Sequence, residues 1–217
     1  PEEVENNGHI EGSVVIPLRE LGENLSLLPA FDEPIVSYCG SGWRCTIEIT
    51  ALEAFGWEDV RGLKGGSFGG WVESCYPFVE GLPADPLVME VAEADPGMEL
   101  LMNDVLISIT DGWGGITAEG LNTELVENTD LELIDVRRAE ELESKGQIEA
   151  GNFIPVPLED FVNNKAQWPA DLDAPIVVYC GSGNRSTIAM TILWSYGYTD
   201  VRSLKGGFNG WAGAGYP

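Results

Sequence analysis

The chain contains one sequence pattern twice, and this internal repeat constrains its fold more than any other feature. Residues 34–63 read PIVSYCGSGWRCTIEITALEAFGWEDVRGL, and residues 175–204 read PIVVYCGSGNRSTIAMTILWSYGYTDVRSL, with a constant offset throughout. The match continues downstream, where LKGGSFGGW corresponds to LKGGFNGW with one residue gained at Ser67. Upstream, residues 1–18 correspond to residues 139–158 with a two-residue shift. Such self-similarity indicates a tandem duplication of one domain.

Each repeat shows a short apolar run, a glycine-bearing turn and then a helical pattern. This alternation predicts an α/β fold in which each domain is a parallel sheet flanked by helices on both faces. The predicted strands are residues 35–38, 60–63, 176–179 and 201–204, and the predicted helices are residues 46–55 and 187–196, closed by Gly56 and Gly197.

The second repeat has a lead-in that the first repeat lacks. Residues 117–127 predict a helix with Thr117 as its N-cap, although Gly120 stands where a full capping box has an acid or an amide. Residues 131–136, LELIDV, predict a strand. The first repeat starts at Pro1, just past the counterpart of that strand. We therefore expect the first domain to lack its opening helix and a core strand, unless another segment fills the gap.

The boundaries follow from the repeat. We expect a first domain at residues 1–77, a linker at residues 78–115 and a second domain at residues 116–217. Within the linker, Asp95 followed by Pro96 and an apolar-periodic run predicts an N-cap, a proline at the first helical position and an amphipathic helix. This helix is expected to pack as a linker, with a regulatory element as the alternative.

Composition excludes several classes of function. The net charge is −25, from 36 acidic and 11 basic residues, which disfavours nucleic acid and anionic membrane surfaces as partners. No apolar run is long enough to insert into a membrane. The chain has one histidine, His9, which we expect to be structural, and no CxxC pair, so no metal site is predicted. A cysteine–histidine relay in both repeats is excluded, because the second repeat has no histidine.

Both repeats place a cysteine, four residues and an arginine between a strand and a helix, at Cys39–Arg44 and at Cys180–Arg185. Glycines at the second and fourth positions let the backbone curl so that N–H groups point inward. The helix N-terminus and the arginine add positive charge. A cysteine in such a loop is expected to ionise below the free value of about 8.5 and to act as a nucleophile without an adjacent base.

The length of the loop distinguishes two chemistries. The cysteine–arginine spacing is one residue shorter than in thiolate enzymes that cleave phosphate esters, so the cradle is tighter and suits a single sulfur atom on the cysteine. A small phosphatase or an arsenate reductase is the alternative, and the spacing argues against it.

The strand–CGSGNRS–helix unit, the LIDVR segment before it and the LKGG…W…GYP ending make the chain similar to the rhodanese family. The resemblance covers roughly residues 117–217 and, less completely, residues 1–77. It implies two rhodanese-like domains, the first apparently truncated at its N-terminus, and a thiosulfate sulfurtransferase that needs no cofactor. The implied partners are a small anionic sulfur donor and a thiol or cyanide acceptor, linked by a cysteine persulfide. A non-catalytic sulfur carrier, sensor or docking module of this fold is the alternative.

In the second repeat, the resemblance implies that Cys180 is the nucleophile and that Arg185 acts with it. The substrate-binding loop there comprises Gly181, Ser182, Gly183, Asn184 and Ser186, with Thr187 as a second possible hydroxyl donor. The supporting residues are Asp135, which braces the loop, Arg137, which engages surrounding polar groups, and Lys205. Lys205 is either an anion contact or a solvated loop lysine.

In the first repeat, the corresponding pair is Cys39 and Arg44, and the loop comprises Gly40, Ser41, Gly42 and Trp43. This repeat departs from the family because it has no counterparts of Asp135 and Arg137. Trp43 replaces a small polar residue and can shape the donor pocket. Cys45 replaces a hydroxyl residue, either as a small buried side chain or as a thiol that resolves a persulfide on Cys39. We therefore rank Cys180 above Cys39.

Overall fold

The computed structural model describes residues 1–84, 93–150 and 152–217. The chain divides into two compact units, Pro1–Ile109 and Thr110–Pro217. Residues 85–92 of the predicted linker, including Pro86, lie outside the described residues. The division assigns the helix predicted in the linker to the first unit.

In its described part, the first unit has a two-stranded parallel sheet and four α-helices. The strands are β1 (Ile35–Ser37) and β2 (Val60–Gly62), the helices are α1 (Glu2–Asn7), α2 (Trp43–Phe55), α3 (Ser67–Glu73) and α4 (Pro96–Ser108), and 3-10 turns span Leu18–Glu20 and Gly22–Leu27. Val36 of β1 faces Arg61 of β2 in register. On its other side, β1 has no strand partner among the described residues, so Val36 is 60% exposed.

Helix α4 begins as its sequence predicts. The Asp95 carboxylate accepts hydrogen bonds from the Gly97 and Met98 amides at 2.9 and 3.0 Å, and Pro96 occupies the first turn. The helix packs against α2 and the two 3-10 turns. Its end is held by Arg19, whose Nε and Nη2 donate to the Ile109 carbonyl at 3.1 and 2.7 Å. These contacts make α4 a core element of the first unit.

The second unit has a five-stranded parallel sheet with strand order β3-β7-β6-β4-β5. The strands are β3 (Gly115–Ile116), β4 (Glu132–Asp135), β5 (Asn152–Pro155), β6 (Ile176–Tyr179) and β7 (Val201–Leu204), and the helices are α5 (Ala118–Glu127), α6 (Ala139–Lys145), α7 (Asn184–Ser195) and α8 (Gly207–Gly213), with 3-10 turns at Leu158–Asp160 and Lys165–Gln167. All four residues of β6 are buried, because strands flank it on both sides and helices cover the sheet. The predicted α/β fold is confirmed.

The two helices that follow the cysteine loops begin three residues earlier than predicted. They start at Trp43 and Asn184, because Gly42 and Gly183 adopt left-handed conformations, with φ of 100° and 107°, and turn the chain directly into the helix. The loop arginines therefore lie in the first helical turn. Thr117 is confirmed as an N-cap, since its hydroxyl accepts from the Gly120 amide at 3.1 Å. No helix in the described ranges combines the length and apolar character needed to cross a bilayer.

Helix α4 provides a test of the division between the units. Leu106 is fully buried, so Leu106→Ala should destabilise the first unit by about 2–5 kcal/mol through lost burial and the cavity it leaves. Amide hydrogen exchange should accelerate in α2 and stay unchanged in β6. Leu100→Ala on the same helix, where the side chain is 64% exposed, is the control and should change neither. Faster exchange in β6 alone would contradict the assignment of α4 to the first unit.

Candidate active site

In the second unit, Cys180 directly follows β6 and lies at the start of α7. The Gly183 amide donates a hydrogen bond to the Cys180 Sγ at 3.1 Å, and the Ser186 hydroxyl lies 3.6 Å from the same sulfur. Cys180 is only 1% exposed. The sulfur therefore sits near the positive end of a helix, within reach of an amide and a hydroxyl.

A chain of hydroxyl groups supports this loop from the sheet. Ser203 of β7 donates to the Ser186 hydroxyl at 2.8 Å, and Ser186 in turn lies 2.9 Å from the Gly183 carbonyl. The Thr187 hydroxyl donates to the same carbonyl at 2.8 Å. Sequence analysis proposed Ser186 and Thr187 and missed Ser203. No signal marks Ser203, because it reads as an ordinary buried strand residue.

The first turn of α8 closes over the other side of the loop. The Phe208 amide donates to the Cys180 carbonyl at 2.7 Å, and the Asn209 amide donates to the Gly181 carbonyl at 3.0 Å. Gly207 has a φ of 55°, and a side chain there would come within 2.4 Å of the Cys180 oxygen. Glycine is therefore required at this position.

In the first unit, Ser67 occupies the place of Gly207, at the first position of α3 with a φ of 57°. The Ser67 hydroxyl accepts a hydrogen bond from the Cys39 amide at 2.9 Å. A left-handed conformation is costly for a residue with a side chain, so this bond accompanies local strain. The sequence comparison placed the additional residue of the first repeat at Ser67, but Ser67 is the structural equivalent of Gly207. The additional residue is therefore a glycine before α3.

The loop arginines are paired with carboxylates, which sequence analysis did not predict. Arg185 makes two hydrogen bonds to Glu141 of α6, both at 2.7 Å, and this pairing lowers the pKa of Glu141 to about 2. In the first unit, Arg44 pairs with Glu3 of α1 at 2.6 Å. Glu3 and Glu141 occupy equivalent positions of the repeat. An acidic residue at the same position of both copies could have indicated that each pairs with the arginine of its loop.

Asp135 and Arg137 form a buried pair next to the loop. The Arg137 Nη2 lies 2.7 Å from the Asp135 Oδ2 with both side chains fully buried, and it also donates to the Gly146 carbonyl at 2.8 Å. The guanidinium carbon lies 4.2 Å from the centre of the Phe208 ring. The pair thus connects the end of β4 to the end of α6 and to α8. The hydrogen bonds of its side chains are made within the pair, to the Arg137 amide and to Gly146, and not to Cys180.

The remaining predicted residues of the second loop lie at its rim. Ser182 and Asn184 are exposed, whereas Gly181 is partly buried. Lys205 is exposed, and its side-chain carbons pack over Gly115 of β3.

Cys39 in the first unit has the same amide contact. The Gly42 amide donates to the Cys39 Sγ at 3.1 Å, and the Cys45 thiol donates to the Gly42 carbonyl at 3.0 Å. The neighbouring Cys45 side chain, together with backbone amides of the loop, lowers the pKa of Cys39 to about 4 despite partial burial. The same interaction raises the pKa of Cys45 well above its ordinary value. These shifts favour the thiolate form of Cys39 and the thiol form of Cys45.

The rest of the first loop surrounds this pair. Ser41 is exposed, and Gly40 and Trp43 are partly buried, with Trp43 as the first residue of α2. His9 lies away from this loop and is structural in its contacts, because its Nδ1 is 2.9 Å from the Gly81 carbonyl oxygen. Among the described residues, no group of histidine, cysteine and acidic side chains could hold a metal ion.

Glu48 of α2 adds a titratable group that the second unit lacks. Burial raises its pKa to about 7, although the Ser37 hydroxyl donates to the Glu48 carboxylate at 2.5 Å and opposes the shift. The negative charge of Cys39 also raises it. The equivalent residue of the second unit is Ala189, and sequence analysis did not single out Glu48.

A cavity of about 640 Å³ opens beside Cys39. It is lined by residues 12–15 and 35–38, the counterparts of β5 and β6, and by Arg44 and Glu48. In the second unit, β4 pairs with both β5 and β6. Cys39 is more exposed than Cys180.

Comparisons with protein families and with individual relatives point to the same family. The model of the rhodanese-like domain matches residues 1–73 and 117–214. A rhodanese domain-containing protein of Drosophila melanogaster is 39% identical over 92 residues, which is 38% of this chain and 83% of that protein. A sulfurtransferase of Allochromatium vinosum is 33% identical over 102 residues, covering 47% of this chain and 91% of the relative.

Solved structures of similar proteins are also found. A rhodanese-related protein from Thermoplasma volcanium is 26% identical with a TM-score of 0.40, covering 48% of this chain and 94% of that one. A thiosulfate sulfurtransferase from Pseudomonas aeruginosa is 21% identical with a TM-score of 0.43, covering 100% of this chain and 38% of that one. With a family match that spans both repeats and most of the chain, this protein belongs to the rhodanese-like domain family.

Proposed function

We propose that the chain transfers sulfane sulfur from thiosulfate or a similar small anionic donor to a thiol or cyanide acceptor, through a persulfide on Cys180. The observation that carries this proposal is the Gly183 amide, 3.1 Å from the Cys180 Sγ at the N-terminus of α7. An amide and a helix end at this point stabilise charge on sulfur in the free, attacking and persulfide states.

The chemistry needs no separate base. The Cys180 thiolate attacks the outer sulfur of thiosulfate, the sulfur–sulfur bond of the donor breaks, and sulfite leaves with the bonding electrons. The acceptor then attacks the outer sulfur of the persulfide and regenerates the thiolate. The second unit contains no histidine, so activation must come from the surroundings of the sulfur.

The burial of Cys180 favours a second candidate function. Because Cys180 is 1% exposed, the loop must open before a small donor or acceptor can reach its sulfur. This restriction suits a sulfur carrier or docking module that does not catalyse repeated turnovers. Multiple turnovers with a small acceptor separate an enzyme from a carrier.

Substitution of Cys180 tests the nucleophile. Cys180→Ser should lower thiocyanate formation from thiosulfate and cyanide by at least ~100-fold, because the oxygen cannot hold a sulfane sulfur. Cys75→Ser, at an exposed cysteine, is the control and should keep wild-type turnover. Full activity in Cys180→Ser combined with its loss in Cys39→Ser would transfer the role to the first unit. A wild-type protein that binds sulfur once without turnover would favour the carrier.

Removal of the carboxylate on Arg185 tests how the loop attracts anions. Glu141→Gln leaves the guanidinium without its negative partner, so KM for thiosulfate should fall by roughly threefold to tenfold as local repulsion decreases. Glu140→Gln removes the same charge from an exposed neighbouring position of α6 and should change KM much less. Equal effects of the two variants would show that only net charge matters.

The ionisation of Cys39 can be read from its alkylation rate. With a pKa lowered to about 4, Cys39 should react with iodoacetamide at a nearly constant rate from about pH 6 to 9. Cys45→Ala removes the thiol donor and raises that pKa, so the rate at about pH 5 should fall. Peptide mass spectrometry follows Cys39 and uses Cys75 in the same sample as an internal reference. An inflection of the wild-type rate near 8.5 would contradict the assigned thiolate.

A further inference from the structure

Gly42 contacts both cysteines of the first loop. Its amide donates to the Cys39 Sγ at 3.1 Å, and its carbonyl accepts from the Cys45 Sγ at 3.0 Å. In the second unit, Ser186 is the equivalent of Cys45, and its hydroxyl lies 3.6 Å from the Cys180 Sγ. The repeat therefore places the Cys45 thiol against the nucleophilic sulfur of its own loop.

We propose that the first unit reduces the sulfur it receives: Cys45 resolves a persulfide on Cys39, releases hydrosulfide and leaves a Cys39–Cys45 disulfide. This inference rests on the proposed function, since it requires a persulfide in the first loop. It gives the two units different products, because the Ser186 hydroxyl of the second unit cannot form a bond to sulfur in this way.

The step balances in atoms and electrons. Cys39 first takes the outer sulfur of thiosulfate, and sulfite leaves. The Cys45 sulfur then attacks the inner sulfur of the persulfide, the bond to the outer sulfur breaks, and the outer sulfur leaves with the bonding pair and the Cys45 proton as hydrosulfide. Two thiol groups are oxidised to one disulfide, and the sulfane sulfur is reduced to sulfide.

The geometry supplies what this exchange needs. Cys45 is 3% exposed, and its thiol proton is directed at the carbonyl of Gly42, the residue whose amide contacts the Cys39 Sγ. Both thiols belong to the same loop and helix start, so the attack is intramolecular and avoids the entropy cost of a second reactant. The disulfide returns to the dithiol when two molecules of an external thiol are oxidised to their own disulfide.

The test uses the full chain with Cys75→Ser and Cys180→Ser, which leaves Cys39 and Cys45 as its only cysteines. The protein is treated with thiosulfate under anaerobic conditions without added thiol, and sulfite and hydrosulfide are both measured. Trypsin cleaves after Arg44, between the two cysteines, so a disulfide joins peptides 20–44 and 45–61 in a non-reducing digest. We expect one equivalent each of sulfite, hydrosulfide and linked peptide pair per chain.

A matched variant replaces the resolving thiol with the residue of the second repeat. Cys45→Ser in the same background should release sulfite but no hydrosulfide, and peptide 20–44 should carry one additional sulfur atom. The reciprocal change, Ser186→Cys combined with Cys39→Ser, should create hydrosulfide release at Cys180 and link peptides 166–185 and 186–202.

The outcomes separate this inference from the proposed function. Sulfite without hydrosulfide, with a stable persulfide on Cys39 and a free Cys45 thiol, overturns the inference and leaves sulfur transfer intact. Absence of sulfite from both loops of the wild-type chain overturns the proposed function instead. In that case, oxidation with diamide, which converts dithiols directly to disulfides, tests whether Cys39 and Cys45 can pair. If peptides 20–44 and 45–61 are not linked, the pairing is overturned as well; if they are linked, the pairing is supported.

Discussion

The left-handed glycine before each long helix sets the geometry on which both cysteine loops depend. Gly42 and Gly183 turn the chain from the loop into the helix within one residue, and this turn points their own amides at Cys39 and Cys180. This conformation is costly for any residue with a side chain. Replacing the glycine would therefore disturb the turn, the start of the helix and the hydrogen bond to sulfur at once.

The two units support the same loop in different ways. In the second unit, the buried Asp135–Arg137 pair joins β4 to the surrounding helices, and the neighbouring strands bury β6 completely. Both side chains are fully buried, so the pair depends on the hydrogen bonds of the Arg137 Nε and Nη2 and on the Phe208 ring beside the guanidinium. In the first unit, the loop relies on Ser67 and on its own amides.

Much of this arrangement could be predicted from the sequence, because the duplication shows every local pattern twice. The strands β1, β2, β4, β6 and β7, the Asp95 cap and the position of both cysteines follow from periodicity and glycine placement, whereas β3 and β5 were not predicted. The helix starts were misplaced by three residues because a sequence does not reveal which loop glycine is left-handed. Glu141, Ser203 and Glu48 were missed for a different reason: each acts through a partner distant in sequence, and a pattern along the chain carries no information on such pairings.

The differences between the repeats concern the atoms next to sulfur. Ser186 offers a hydroxyl to Cys180, whereas Cys45 offers Cys39 a thiol that can itself form a bond to sulfur. Glu48 adds a carboxyl group that titrates near neutral pH beside Cys39, where the second unit has Ala189. A hydroxyl stabilises a charge on sulfur without changing its oxidation state, while a thiol can exchange with a persulfide. The proposed difference in product between the two copies therefore rests on a change of one atom at one position of a duplicated loop.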